Sequence, residues 1–326
     1  MHSNKSINLF EAVSARVLPK VPFNFNATVY KPSHFPLPDS AWTADTFWYT
    51  INFRGKIYGV KMTNLSEIDH PNLGLTIFSD SKISQDQLGK LIKEIRWRFD
   101  MDFDISSFYG NIQLDDVLSP VLERWRGMRI SCQHSLYELV VITIVLQNAT
   151  IRRSVQMTEG LLQTYGTLTN FDGKQLYAFC EPKQLLEATE EQIRLLRVGY
   201  RAKFLKKISA TFAENEVDEI KLRTLPKNDA KNELLKLYGI GPASVDILLF
   251  ESLHCYDAFD HVSPWEQKIY SKLLFNKDLV SEEKILDTAE KKWGKWKMLA
   301  AHYLFEDLFW KRKTQKILWL ENLIKL

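Results

Sequence analysis

Short apolar runs dominate about the first eighty residues, and then the pattern changes. FNFNATVY (23–30), FWYTINF (47–53), IYGVKMT (57–63) and LGLTIFS (73–79) are rich in β-branched and aromatic residues, which predicts strands. Arg54-Gly55-Lys56 predicts a hairpin turn between the second and third runs. KPSHFPLPDSAW (31–42) carries Pro32, Pro36 and Pro38 and predicts a loop or a rigid edge crossing, because proline has no N–H to give to a ladder. At Ser84 the period becomes helical. Ser84-Gln85-Asp86-Gln87 has the form of a capping box, and Leu88, Leu91, Ile92 and Ile95 follow on one face.

From there on the chain predicts helices almost throughout. Ser135 to Glu138 caps LVVITIVLQ (139–147), a run so uniformly apolar that it predicts a central buried helix. IRRSVQMTEGLLQTYG opens after Asn148 or Thr150 and stops at Gly166. Thr189 to Gln192 forms another capping box, and NELLKLY (232–238) and SVDILLFESL (244–253) flank Gly239-Ile240-Gly241. Ser263-Pro264-Trp265-Glu266 combines a capping box with proline at the first helical position, and KMLAAHYLFEDLFWK (297–311) is the last long apolar helix. The fold class expected is α+β. A small N-terminal antiparallel β-sheet domain with one helix takes residues 1–115, and it packs on a helical body over 116–326 that divides into two lobes with a cleft between them.

Composition narrows the function. With 43 basic and 40 acidic residues the net charge is +3, so any anionic partner must be met by a local patch rather than by the whole surface. No apolar run approaches a membrane span and no cleavable leader follows Met1, which points to a cytoplasmic protein. Cys132, Cys180 and Cys255 are far apart, which predicts reduced, packed thiols and excludes a four-cysteine cluster.

The turn L-Y-G-I-G-P-A has its own physical reading. Glycines allow positive φ and close backbone approach, Pro242 suits the start of the second helix, and the free N–H groups there can seat a phosphate oxygen. Taken alone, the turn is better read as an αα-hairpin with a glycine stop. Its setting changes the balance: two apolar helices, then an isolated Asp260 ahead of a capped helix. The stretch resembles the helix–hairpin–helix motif and following aspartate of a DNA glycosylase superfamily. LYELVVITIVLQNATIRRS (136–154), RVGYRAKFL (197–205), WGKWKMLAAHYLF (293–305) and DVLSPVLERWRG (116–127) resemble further segments of its alkylpurine (3-methyladenine) and 8-oxoguanine branch, in the same order. The likeness covers roughly residues 20 to 312.

That resemblance implies roles. Asp260 is the catalytic carboxylate, stabilising positive charge on the sugar and orienting water, with Asp257 as the alternative because His261-Val262 lengthens the approach to the capped helix. Gly239, Ile240 and Gly241 seat a phosphate; Gln147, Asn148 and Arg153 plug the gap left by the extruded nucleotide; Tyr200 stacks at its edge; Arg201 and Lys203, with Lys206 and Lys207, position the backbone. The base pocket is drawn from Ala243, Ile247, His261, Trp265 and Phe305. The superfamily also often holds a monovalent or calcium ion through hairpin carbonyls, here those of Leu235, Leu237 and Ile240; no other cofactor is implied. Polar helix ends are usually only caps and basic helix faces usually only solvated, so these assignments rest on the resemblance.

Ala243 departs from the pattern. Relatives that also cut the strand carry there a lysine that forms a Schiff base, and alkylpurine enzymes often carry tryptophan there and tyrosine at the Ile247 position. Alanine supplies neither, and the sequence offers no obvious substitute, since Lys236 precedes the turn and points away. The expectation is a monofunctional enzyme, hydrolysing the bond to 3-methyladenine or 7-methylguanine without lyase action. It is expected to act on double-stranded DNA with a damaged base, as a monomer free of membranes, in a prokaryotic, nucleoid-associated setting. Two other readings stand beside it: a glycosylase for 8-oxoguanine or deaminated purines, and a lesion-binding DNA protein without catalysis, which would have no need of Asp260.

Overall fold

A computed structural model describes residues 5–112 and 115–324. Strands β1 (Lys5–Asn8) and β2 (Glu11–Val17) precede helix α1 (Phe25–Val29) and strands β3 (Ser40–Thr43), β4 (Thr46–Phe53), β5 (Lys56–Asn64) and β6 (Leu73–Ser79). Helices α2 (Gln85–Arg98), α3 (Ser106–Ile112) and α4 (Ser119–Arg124) lead to α5 (Leu136–Leu146) and α6 (Ile151–Tyr165). A hairpin of β7 (Thr167–Phe171) and β8 (Lys174–Ala178) follows, then α7 (Pro182–Glu187), α8 (Glu190–Arg194), α9 (Arg201–Ala213) and α10 (Glu219–Leu222). The remainder is α11 (Lys227–Leu235), α12 (Pro242–Leu253), α13 (Pro264–Phe275), α14 (Glu282–Trp293), α15 (Lys297–Thr314) and α16 (Leu318–Ile324).

The fold is α+β, with a five-stranded antiparallel sheet in the order β2-β6-β5-β4-β3. The hairpin at Arg54-Gly55 forms as expected, both residues taking positive φ. A second sheet, β1-β7-β8, pairs the N-terminal strand in parallel with a hairpin from the helical body, so its hydrogen bonds cross the expected 115/116 boundary. Among the described residues three helices, rather than one, precede that boundary.

Two local expectations change. FNFNATVY contains α1 rather than a strand: the Asn24 side chain accepts the Ala27 N–H at 3.1 Å and caps a helical turn that buries Phe25 and Val29 in the sheet's core. A side-chain cap outweighs β propensity there. Ser40–Thr43, read as the end of a loop, pairs with β4 as an edge strand. The capping boxes at Ser84, Ser135, Thr189 and Ser263 all form as read.

α5 is buried from Leu136 to Val145 and centres one helical cluster. A second cluster gathers α3, α4, α14 and α15. α12 serves both, sending Leu248 and Leu249 into the first and Phe250 into the second. Between sheet domain and body, Glu94 on α2 binds Arg98 and, at 2.7 Å, Arg223 just beyond α10. Among the described residues no helix is long and apolar enough to cross a membrane, and all three cysteines are free thiols.

Candidate active site and DNA-binding face

The hairpin joins α11 to α12. Gly239 has φ of +86°, and a β-carbon there would lie 2.6 Å from the Phe204 ring, so glycine is required twice over. Gly241 is different. It is the extended N-cap of α12, and a β-carbon would meet nothing within 4 Å, which leaves open space before the first N–H groups of a twelve-residue helix. That is the geometry of an anion seat. On the other side of the turn lie the carbonyls of Leu235, Leu237 and Ile240. Leu235 ends α11, and Leu237 O also accepts the Ile240 N–H at 3.0 Å. Carbonyls at a helix C-terminus suit a hard monovalent or calcium ion.

Asp260 sits in the loop between α12 and α13. Its N–H donates to Asp246 Oδ2 at 2.9 Å, which ties the loop to the second turn of α12. Its two carboxylate oxygens face different lysines: Lys231 Nζ is 2.8 Å from Oδ2, Lys297 Nζ is 3.0 Å from Oδ1, and Lys227 stands at 3.8 Å. Partial burial pushes this carboxyl up, but the hydrogen bonds from Lys231 and Lys297 and the charge of Lys227 outweigh it and hold the pKa below the usual carboxylate range. Burial works against the charge on Lys297 too, yet Glu290 and Asp260 outweigh it and raise that pKa. Asp246 is buried, and its carboxyl is pushed up to about 6. Asp257 pairs with Lys227 at 2.9 Å. The residues that lengthen the approach to α13 are anchored on α14, where Glu282 accepts the Val262 N–H and meets His261 Nδ1, each at 2.8 Å.

The lysine cage is what sequence reading missed. Lys227 and Lys231 are four apart on α11, one face of a helix, and Lys297 heads α15. That spacing was visible, but only the fold brings it to Asp260.

The expected gap-plugging residues divide into two groups. Asn148 is exposed with φ of +48°, and its amide donates to the Tyr200 hydroxyl at 3.3 Å, so these two form one tip. Gln147 turns inward instead, its Nε2 holding the Gly239 carbonyl at 2.7 Å, which fastens α5 to the hairpin. Arg153 donates to the Arg197 carbonyl. Arg201 is buried and donates to the carbonyls of Val198 and Gln147. Lys206 likewise donates to the carbonyls of Leu186 and Ala188. The basic strip read from the sequence therefore reduces to exposed Lys203 and Lys207, which flank the Tyr238 ring at 6.0 and 3.9 Å. Unpaired helix-end carbonyls and loop carbonyls claim the other cations, a demand invisible without the fold.

Of the expected pocket residues, Ala243 is exposed and Ile247 half-buried on one face of α12. Phe305 meets Trp265 edge-on at 5.8 Å and Phe309 at 4.9 Å, and Tyr270 lies at 6.3 Å, so both Phe305 and Trp265 also serve the core. His261 is committed to Glu282.

No protein-family model matches the chain. It is similar to the probable N-glycosylase/DNA lyase of Methanothermobacter thermautotrophicus, 26% identical over 66% of this chain and 74% of that one. It is also similar to the DNA-3-methyladenine glycosylase of Bacillus subtilis, 22% identical over 76% of this chain and 82% of that one. Among solved structures, the 8-oxoguanine glycosylase/lyase of Clostridium acetobutylicum, in complex with double-stranded DNA containing cytosine opposite 8-oxoguanine, superposes with a TM-score of 0.69 at 22% identity, covering 94% of this chain and 99% of that one.

Proposed function

We propose that this helix–hairpin–helix DNA glycosylase is a monofunctional one, which hydrolyses the bond between deoxyribose and an alkylated purine, 3-methyladenine or 7-methylguanine. DNA glycosylase function in base excision repair is supported by the relatives and by the shared fold. The observation carrying the finer reading is Ala243, exposed in the first turn of α12, while the amines around Asp260 are engaged. Lys227, Lys231 and Lys297 each hold a carboxylate, and Lys297 is kept protonated by Glu290 and Asp260. Alanine has no amine to add to C1′, so water attacks the sugar.

In this reading Asp260 faces the sugar of the flipped nucleotide. The carboxylate stabilises the positive charge growing at C1′ and takes a proton from the attacking water as the glycosidic bond breaks. The products are free base and an intact strand with an abasic site. The open N-terminus of α12 seats a phosphate, and the carbonyls of Leu235, Leu237 and Ile240 would hold a cation beside it. Asn148 and Tyr200 fill the gap in the stack, and Lys203 and Lys207 meet the backbone. Without a covalent amine, a base already cationic from N3 or N7 alkylation is the one that leaves most readily.

The test is release of free base from methylated duplex DNA, followed by chromatography, with and without borohydride. The expected result is methylated base in solution, strand breaks only after alkali, and no trapped adduct. The name of the Methanothermobacter relative makes the contrary outcome specific. A borohydride-trapped adduct that vanishes on replacing Lys231 or Lys297 would show that one of those amines does what a lysine at position 243 does elsewhere.

A further inference from the structure

Ala243, Ile247 and Glu251 recur every fourth residue and share the face of α12 that the core leaves free. Glu251 lies about 7 Å along the axis from Asp246, the residue that fixes the Asp260 loop. α15 starts at Lys297 on Asp260 and reaches His302 about 7 Å, and Glu306 about 13 Å, further on. The rings of Phe250 and His302, 5.2 Å apart, keep the two helices side by side at that level. Both helices thus lead from Asp260 to one polar cluster, roofed by residues 31–35. Lys31 is buried; its Nζ donates to the Arg129 carbonyl at 2.9 Å and meets His302 Nε2 at 3.3 Å, and the Ser33 hydroxyl donates to Glu306. Glu306 Oε2 is buried with no hydrogen-bond partner among the described residues. Among the described residues Glu251 takes only a weak hydrogen bond from the Cys132 thiol; His34 Nε2 stands 3.8 Å away, beyond hydrogen-bond length, and burial lowers its pKa to about 4, so it is a neutral neighbour. Lys31 and Glu251 line a cavity of about 360 Å³. A cavity of about 150 Å³ already admits benzene, so a purine is no misfit by size.

We infer that Glu251 and Lys31 read the Watson–Crick edge of the flipped base and select purines with a guanine edge, 7-methylguanine ahead of 3-methyladenine. This rests on the reading that the chain excises purines. A carboxylate has two acceptor oxygens, and guanine offers N1–H and N2–H to both; an ammonium group has three donors, two of them directed at Arg129 and His302, and the third meets O6. An adenine edge has one amino donor for the carboxylate and presents no O6 to Lys31. Charge agrees with geometry. Glu251 and Glu306 face Lys31, while the His134 imidazolium beside Glu251 is already paired with Asp39, so a base made cationic by N7 alkylation meets acidic side chains not matched by a cation of their own. Burial pushes Glu251 up to about 7, against the pull of His134 and Lys31, and an incoming cation favours its ionised form.

The experiment measures single-turnover release of 7-methylguanine and 3-methyladenine from otherwise identical duplexes, by wild type, Glu251→Gln and Glu251→Asp. Thermal unfolding verifies that each variant folds, and the aspartate variant keeps the charge if the glutamine variant does not fold. Wild type should favour 7-methylguanine, and Glu251→Gln should lower the 7-methylguanine to 3-methyladenine ratio roughly ten- to a hundredfold. Glu251→Asp should fall between them. An unchanged ratio overturns the inference while leaving excision by Asp260 standing, provided that Asp260→Asn stops both reactions. If wild type releases neither methylated base, the proposed alkylpurine activity fails instead. Glu251-dependent release of 8-oxoguanine would then preserve the guanine-edge reading, and no such release would overturn it.

Discussion

Two carboxylates in this molecule are each surrounded by cations, and they are built for opposite purposes. Glu94 is 8% exposed and gripped by two guanidinium groups, Arg98 at 2.8 Å and Arg223 at 2.7 Å, which are themselves 5% and 9% exposed. Burial pushes its carboxyl up, but the arginine hydrogen bonds and charges overcome this and take it down to about 2. Asp260 is 28% exposed, and its partners are lysines, each making a single contact from a flexible stem. Planar guanidinium forks hold a carboxylate in one geometry, whereas ammonium groups are point charges that rearrange without losing much. Glu94 locks the sheet domain to the body. Asp260 is kept charged and still able to change partners, which is what its proposed role at the sugar of a flipped nucleotide requires.

The strongest way to separate the two is to neutralise Asp260. Asp260→Asn should slow base excision by roughly two to four orders of magnitude in single-turnover assays while leaving duplex binding and the unfolding midpoint near wild type. Asp257→Asn is the matched control, since Asp257 meets Lys227 but lacks the contacts from Lys231 and Lys297. If Asp257→Asn abolishes excision and Asp260→Asn does not, the comparison has been drawn around the wrong residue.

Glu94→Gln should do the reverse. It removes the carboxylate that Arg98 and Arg223 share, leaving Arg223 with Glu219 and Arg98 with no ion pair among the described residues, at a cost on the order of 3 kcal/mol of stability in urea titrations, with the folded fraction still excising base at the normal rate. The pH dependence has a definite sign. A carboxyl whose folded pKa is depressed contributes stability above its unfolded value, so the Glu94 share is fully present above about pH 5 and disappears as pH falls toward about 2. Equal stability of wild type and Glu94→Gln at neutral pH would show that the arginines find other partners.

The same contrast explains what the chain revealed before folding. Capping boxes at Ser84, Ser135, Thr189 and Ser263 are local, so each was legible as four residues, and the uniformly apolar α5 announced its burial. The glycine turn and the isolated Asp260 were legible as an ordered pair. Side-chain partners were not. Arg201 and Lys206 look like a phosphate strip on paper, but distant carbonyls at Gln147 and Ala188 claim them. Lys231 and Lys297 look like ordinary helix-surface charges until residues 66 apart in sequence converge on Asp260. α1 was misread because a single asparagine cap overrode a strand-like composition. Non-local hydrogen-bond demand decides such cases, and it has no periodicity to read.

The finest test of the comparison is to weaken the lysine cage without touching Asp260. Replacing Lys297 with methionine keeps the stem's packing and removes one charge, leaving Lys231 and Lys227 on the carboxylate, with Asp246 behind the loop and Asp257, His261 and Glu290 around it. Asp260 should then lose part of the support that holds it below the ordinary range, and its pKa should rise. Because catalysis needs the ionised form, excision is lost as pH falls through that pKa, so the acid limb of the rate profile should move to higher pH. At pH 7 the rate should change by no more than a few fold, whereas at about pH 5 the variant should slow relative to wild type. Lys231→Met should move the limb the same way, and the double variant further than either. Partly exposed lysine pairs contribute little stability, so unfolding free energies should differ by less than about 1 kcal/mol. A uniform rate loss at every pH, with the limb unmoved, would mean that these lysines act on the DNA rather than on Asp260, and that the cage is an arrangement of the free protein alone.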